Sequence, residues 1–174
     1  MSDNISPYSF FIQETDLATD YFFISEIRKC IYSLSFDTSE NNTALFDNFN
    51  EYIPTIIENS HYLILIQKPY ELDNNESLKK EDKRIKATII EIINNYLKSQ
   101  HNNSFIVYEC LKPRERLFNK WFLDSNENHI KSGLEVEVGD KNMYFGYICK
   151  KANPKIAEVD KEIDRLSIFL LRKY

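Results

Sequence analysis

Residues 61–111 read HYLILIQKPYELDNNESLKKEDKRIKATIIEIINNYLKSQHNNSFIVYECL, and this stretch changes hydrophobic period twice. HYLILIQ, residues 61–67, carries the unbroken apolar run of a strand buried on both faces. KPYELDNNESLKKEDK, residues 68–83, is a polar loop. Beyond it Ile85, Ile89, Ile92, Ile93, Tyr96 and Leu97 form a single apolar stripe at helical spacing. SFIVYECL, residues 104–111, is a second buried strand. Strand, helix and strand in succession predict a right-handed parallel crossover.

Upstream, the pattern is antiparallel. YSFFIQ (8–13), DYFFISEI (20–27) and CIYSLSF (30–36) are rich in aromatic and β-branched residues and are separated by short polar spacers. In the third, Cys30, Tyr32, Leu34 and Phe36 alternate with Ser33 and Ser35. Leu45, Phe46, Phe49 and Tyr52 then fall at helical spacing, with Pro54 interrupting or restarting the helix. Downstream, Pro113 opens a helix whose inner face is Leu117, Phe118, Trp121 and Phe122. LEVEV (134–138) and MYFGYIC (143–149) flank the turn GDKN as a hairpin. Pro154 opens a last helix with Ile156, Val159, Ile163, Leu166 and Leu170 inward. The expected fold is α+β: a mixed sheet of about seven strands with about four helices, in a single domain over residues 1–174.

Composition narrows function by exclusion. With 174 residues, 43% hydrophobic and 28% charged, the chain has ordinary globular composition. Its three glycines, Gly133, Gly139 and Gly146, are too few and too late for a phosphate-cradling glycine loop. A net charge of −5 disfavours a general nucleic-acid binder. No leader pattern and no membrane-spanning run are visible, and Cys30, Cys110 and Cys149 read as buried reduced thiols. Abundant Asn, Ile, Lys, Phe and Tyr suggest an AT-rich bacterial genome, so a cytoplasmic bacterial protein is expected.

Two resemblances add to this reading. Tyr108-Glu109-Cys110 at a strand end, then Arg114, Arg116, Phe118 and Trp121 in RERLFNKWF, a hairpin and an Asn153-Pro154 helix start follow an aromatic meander. In this layout the chain resembles a family of small uncharacterised proteins of Bacteroidetes-type bacteria, which implies a bacterial origin and no assigned activity. The order of elements over residues 61–149 is similar to the second half of the acyl-CoA N-acyltransferase fold. That family holds the CoA pyrophosphate on a glycine-rich loop at a helix N-terminus. The corresponding residues 68–83 have no glycine and carry Glu71, Asp73, Glu76, Glu81 and Asp82, so the resemblance implies a degenerate half that has lost CoA.

Several groups could carry chemistry. Lys112, Arg114, Arg116 and Lys120 surround one acid, Glu115, at a helix start, where an anionic small molecule such as a nucleotide or CoA-like compound would be favoured, with Trp121 as a stacking surface. Glu135 and Glu137 share one strand face and read as solvated. Asp20, Glu26 and Arg28 lie along one strand in a spacing loosely like that of metal-dependent nucleases, without the lysine. His61, His101 and His129 are isolated, and no metal site or cofactor is expected. Cys110 is the thiol best placed for thiolate stabilisation, at a strand end before a basic helix start.

Charge asymmetry says more. Through residue 60 there are ten acids against Arg28 and Lys29, a net of −8, whereas the remainder carries 17 acids and 20 bases, a net of +3. The expected function is a non-catalytic interaction module that binds a protein partner through an acidic N-terminal face bearing Asp16, Asp20, Glu26, Asp37 and Glu40. A toxin-neutralising or phage-defence pair would suit such a face. The alternative is an enzyme or sensor with an anionic ligand at Arg114 and Arg116. No membrane or nucleic-acid partner is expected.

Overall fold

The computed structural model of the chain describes residues 5–38, 50–70, 75–123, 129–138 and 141–173. Seven strands form one mixed sheet in the order β1-β2-β3-β4-β5-β7-β6. They are β1 (Phe11–Glu14), β2 (Ala18–Ser25), β3 (Cys30–Asp37), β4 (Ser60–Pro69), β5 (Phe105–Leu111), β6 (His129–Val138) and β7 (Lys141–Lys150). Five α-helices are described where about four were expected: α1 (Pro54–Asn59), α2 (Asn75–Leu78), α3 (Lys83–Ser99), α4 (Lys112–Leu123) and α5 (Ile156–Lys173). The extra one, α2, is a single turn within the segment read as polar loop. The crossover β4-α3-β5 is parallel, with His61 opposite Ile106. The meander and the terminal hairpin are antiparallel.

The residues group into two compact units, 1–37 with 63–99 and 38–62 with 100–174. In the first, the alternation in β3 places Cys30, Tyr32, Leu34 and Phe36 in the core. On β2, Tyr21, Phe23 and Ser25 share that face. The α3 stripe closes the core with Ile85, Ile89, Ile92, Ile93, Tyr96 and Leu97. Phe36 stacks on Tyr96 at 3.8 Å between ring centroids, and Phe23 stacks on Tyr32 at 4.9 Å.

In the second unit, β5 is buried on both faces. Phe105 and Val107 join Phe145, Tyr147 and Cys149 of β7 under Val159, Ile163 and Leu166 of α5. On the opposite face Tyr108 meets Phe118 of α4, ring to ring at 5.0 Å. The short α1 begins at Pro54, and its first N–H groups are capped from a distance: Thr55 and Ile56 donate to the buried Glu162 carboxylate at 2.9 and 3.4 Å.

Some boundaries differ from expectation, each for a local reason. Residues 8–10 are not strand, because Tyr8 is pulled into the core and its N–H donates to Thr88 Oγ1 at 2.8 Å. β2 ends at Ser25, so Glu26 and Arg28 lie in the following turn and not along a strand with Asp20. β4 is not buried on both faces as its apolar run predicts: Leu63 is its one buried residue, and Ile66 is 54% exposed. Leu117 is exposed, and among the described side chains of α4 the buried ones are Glu115 and Phe118; those of Trp121 and Phe122 lie outside the described set. The last helix starts at Ile156, after Asn153 Oδ1 has accepted the Lys155 N–H at 2.8 Å. The helix expected from Leu45, Phe46 and Phe49 lies outside the described residues, as do Glu40, Glu71 and Asp73.

Candidate functional site

Two surfaces gather residues with something to do beyond folding, one in each unit. The first is the face of the meander opposite α3. Strand alternation puts Ala18, Asp20, Phe22 and Ile24 of β2 on that face, and the register places Ile31, Ser33, Ser35 and Asp37 of β3 beside them. Phe11 of β1 stands opposite Phe22, and Ile24 opposite Ile31. Gln67 donates to Cys30 Sγ on the α3 side, so the exposed Ile66 alternates to the meander's outer face too. Phe11 is 76% exposed, Ile24 49% and Ile31 38%. A half-solvated antiparallel sheet normally turns polar residues outward; here two cross-strand apolar pairs stand among them.

The acids named from sequence are divided along this surface. Asp20 and Asp37 share the outer face at one end of the β2–β3 pair, near the turn that holds Asp16. Glu26 lies in the turn at the other end, the length of an eight-residue strand away.

The second surface is the α4 side of β5, β6 and β7. The register sets Gly133 opposite Gly146, Tyr108 opposite Gly146, and Glu135 opposite Tyr144. Above them α4 brings Lys112, Glu115 and Asn119. A cleft of about 220 Å³ is lined by Lys112, Glu115, Glu135, Asn142 and Tyr144. At its rim Lys112 Nζ is 3.2 Å from Glu135 Oε2, both side chains about half exposed. Glu115 is in turn paired with Lys131, whose Nζ lies 3.9 Å from Glu115 Oε1, with side chains only 5% and 11% exposed. Lys131 also donates to Asn119 Oδ1 and lies 5.1 Å from the Tyr144 ring centroid.

Burial dominates the acid–base behaviour here. It lowers the Lys131 ammonium, against the opposing pull of Glu115. It pushes the Tyr144 hydroxyl up to about 12, aided by Glu115. The Cys110 thiol is pushed up to about 11, because burial outweighs the nearby Arg114. A helix start alone would have favoured a thiolate; the apolar setting of Cys110 reverses that expectation.

Of the basic residues expected to ring an anion, Lys112 lines the cleft. Arg114 and Arg116 are exposed and do not line it. Lys120 and Trp121 belong to α4, but their side chains fall outside the described set. Sequence reasoning names Glu115 only as the lone acid of a basic helix start and passes over Lys131, its buried partner. Glu115 sits three residues before Phe118 on one helix face, which was the available signal. Asp82 was read as a loop acid, yet it is buried, accepting hydrogen bonds from Tyr8 and Ser25 hydroxyls. His61 and His101, isolated in sequence, are close enough that His101 lowers His61. Among the described residues no three His, Cys, Asp or Glu side chains converge as a metal site, and no helix is long and apolar enough to cross a membrane.

No family model, curated protein or solved structure matches this chain.

Proposed function

We propose that the protein is a non-catalytic interaction module whose partner docks on the outer face of the β1–β3 meander. The observation that carries this reading is the two cross-strand apolar pairs on that face, Phe11 opposite Phe22 and Ile24 opposite Ile31, of which Phe11, Ile24 and Ile31 are exposed and Phe22 is half-buried. Clustered exposed apolar groups mark interaction surfaces more often than isolated ones do. Asp20 and Asp37 on the same face favour a partner with basic residues flanking an apolar patch, which adds steering and orientation. β1 is moreover a terminal strand of the sheet, so an extended segment of the partner can add to it. A toxin-neutralising or phage-defence pair is the setting in which such a module would serve.

The test compares tagged wild-type protein with Phe11→Ser/Ile24→Ser and Asp20→Lys/Asp37→Lys variants, recovered from the host and weighed intact by native mass spectrometry. The expected result is one stoichiometric polypeptide on the wild type that is lost from the first variant. The charge-reversed variant should retain it only at low salt. All three proteins should unfold at the same temperature, since these positions lie outside the core. A partner that survives both sets of substitutions, or no polypeptide partner at all, overturns the reading.

A further inference from the structure

We propose that the cleft between α4 and the β6–β7 hairpin binds a small zwitterion of the α-amino acid class, its ammonium on Glu115 and its carboxylate on Lys112. This site is independent of the meander face, and it rests on three observations.

The first is the state of Glu115. The residue is only 9% exposed and lines the cleft, yet its carboxylate accepts no hydrogen bond from any described residue. Its one charged neighbour, Lys131, stands 3.9 Å away, beyond hydrogen-bonding distance, and spends a proton on Asn119. A carboxylate whose one charged neighbour stands at 3.9 Å keeps acceptor positions open toward the cleft. A ligand ammonium entering the cleft fills them.

The second is charge balance. Among the described residues, the cleft and the neighbouring Lys131 hold two carboxylates, Glu115 and Glu135, and two ammonium groups, Lys112 and Lys131. A ligand with a net charge of either sign would unbalance this set, which disfavours phosphates and nucleotides as much as simple cations. A zwitterion leaves the total unchanged and matches a deep acid with a rim base. Lys112 can turn to it because its present partner, Glu135, is itself half exposed and stays solvated when released. The Tyr144 hydroxyl, protonated at neutral pH like any phenol, is a second donor for the carboxylate, and the Asn142 amide a third.

The third is size. A volume of about 220 Å³ lies below the roughly 300–1,000 Å³ of clefts that take drug-sized ligands, which suits a small amino acid better than a nucleotide.

The experiment is ligand-observed saturation-transfer NMR on the intact protein with each of the twenty L-amino acids at millimolar concentration. The best binder is then compared with its methyl ester and its N-acetyl derivative. At least one amino acid should bind, and blocking either charged end should weaken it by about tenfold or more, the loss of one charge-assisted contact. Lys112→Met, at an exposed rim position, should weaken binding similarly while leaving the melting temperature unchanged. Glu115→Gln should also lose binding, but Lys112→Met decides the matter if that variant is poorly folded. Absence of binding by all twenty, equal binding of the blocked derivatives, or full affinity in Lys112→Met overturns the assignment.

Discussion

Gly146 lies directly beneath the ring of Tyr108: a β-carbon at Gly146 would collide with the Tyr108 hydroxyl oxygen and its Cζ. The two residues are register partners on β5 and β7, and Tyr108 is 2% exposed, so its ring has nowhere to swing. The absence of a side chain at Gly146 is thus what lets an aromatic lie flat on the sheet under α4. Gly146→Ala should cost about 1–3 kcal/mol by overpacking, read as a fall in the urea midpoint at constant slope. Adding Tyr108→Leu should recover part of that loss, because two residues in contact do not act additively. Additive losses would mean that the ring does not oppose the methyl group.

Asp82 ties three pieces of the first unit together. Its Oδ1 accepts the Arg84 N–H at 3.1 Å as the N-cap of α3, and its Oδ2 accepts the Tyr8 hydroxyl at 2.9 Å and the Ser25 hydroxyl. Arg84 then covers the Tyr8 ring at 3.9 Å and donates to the Ser6 and Pro7 carbonyls. Asp82→Ala should remove the cap and leave two buried hydroxyls without their acceptor, a loss of about 2–4 kcal/mol. Tyr8→Phe should cost only about 1 kcal/mol, one hydrogen bond. Limited proteolysis offers a second measure: Asp82→Ala should expose the chain near Ser6 to cleavage well below the melting temperature. Equal resistance in both proteins would argue that aromatic packing alone holds this segment.

The buried pair Lys131–Glu115 makes a different kind of prediction. Removing one partner leaves a largely buried charge without its counter-ion, so Lys131→Met should destabilise by about 2–3 kcal/mol. The double variant Lys131→Met/Glu115→Leu should be more stable than the single one, since no charge is then stranded. Urea unfolding of the three proteins decides between this and a merely steric role for Lys131, which would make the double variant the worse of the two.

What the sequence revealed follows from periodicity. The α3 stripe, the β3 alternation and the apolar β5 run each report burial that a strand or helix imposes locally, and all three stand in the structure. What it concealed are partnerships between distant positions. Glu162 caps α1 from more than a hundred residues away, and Asp82 meets Tyr8 across most of the first unit. An acid that is buried because something far off satisfies it looks, in sequence, like any solvated acid. The same limit applies to the sites. Lys112 was legible as a base at a helix start, but the pairing of β6 with β7 is what sets Glu135 and Tyr144 side by side. The outward apolar pairs of the meander needed the register too, because Phe11 and Phe22 are neighbours only once β1 and β2 are aligned.

His61 predicts how the fold responds to acid. Burial, first, and the nearby His101, second, hold its imidazole below the ordinary value of 6.5. A group harder to protonate in the folded state than in the unfolded one contributes stability that is intact above the unfolded value and lost as pH falls through the folded one. The unfolding free energy should therefore be flat near pH 7.5 and decline from about pH 6.5 downward. His61→Gln, which keeps a polar side chain but cannot titrate, should flatten the decline over that window. His101→Gln should flatten it only in part, because burial of His61 is the larger cause and persists. Urea denaturation at half-unit steps between pH 7.5 and 5 measures all three curves; a His61→Gln curve parallel to the wild type would place the acid sensitivity on other groups.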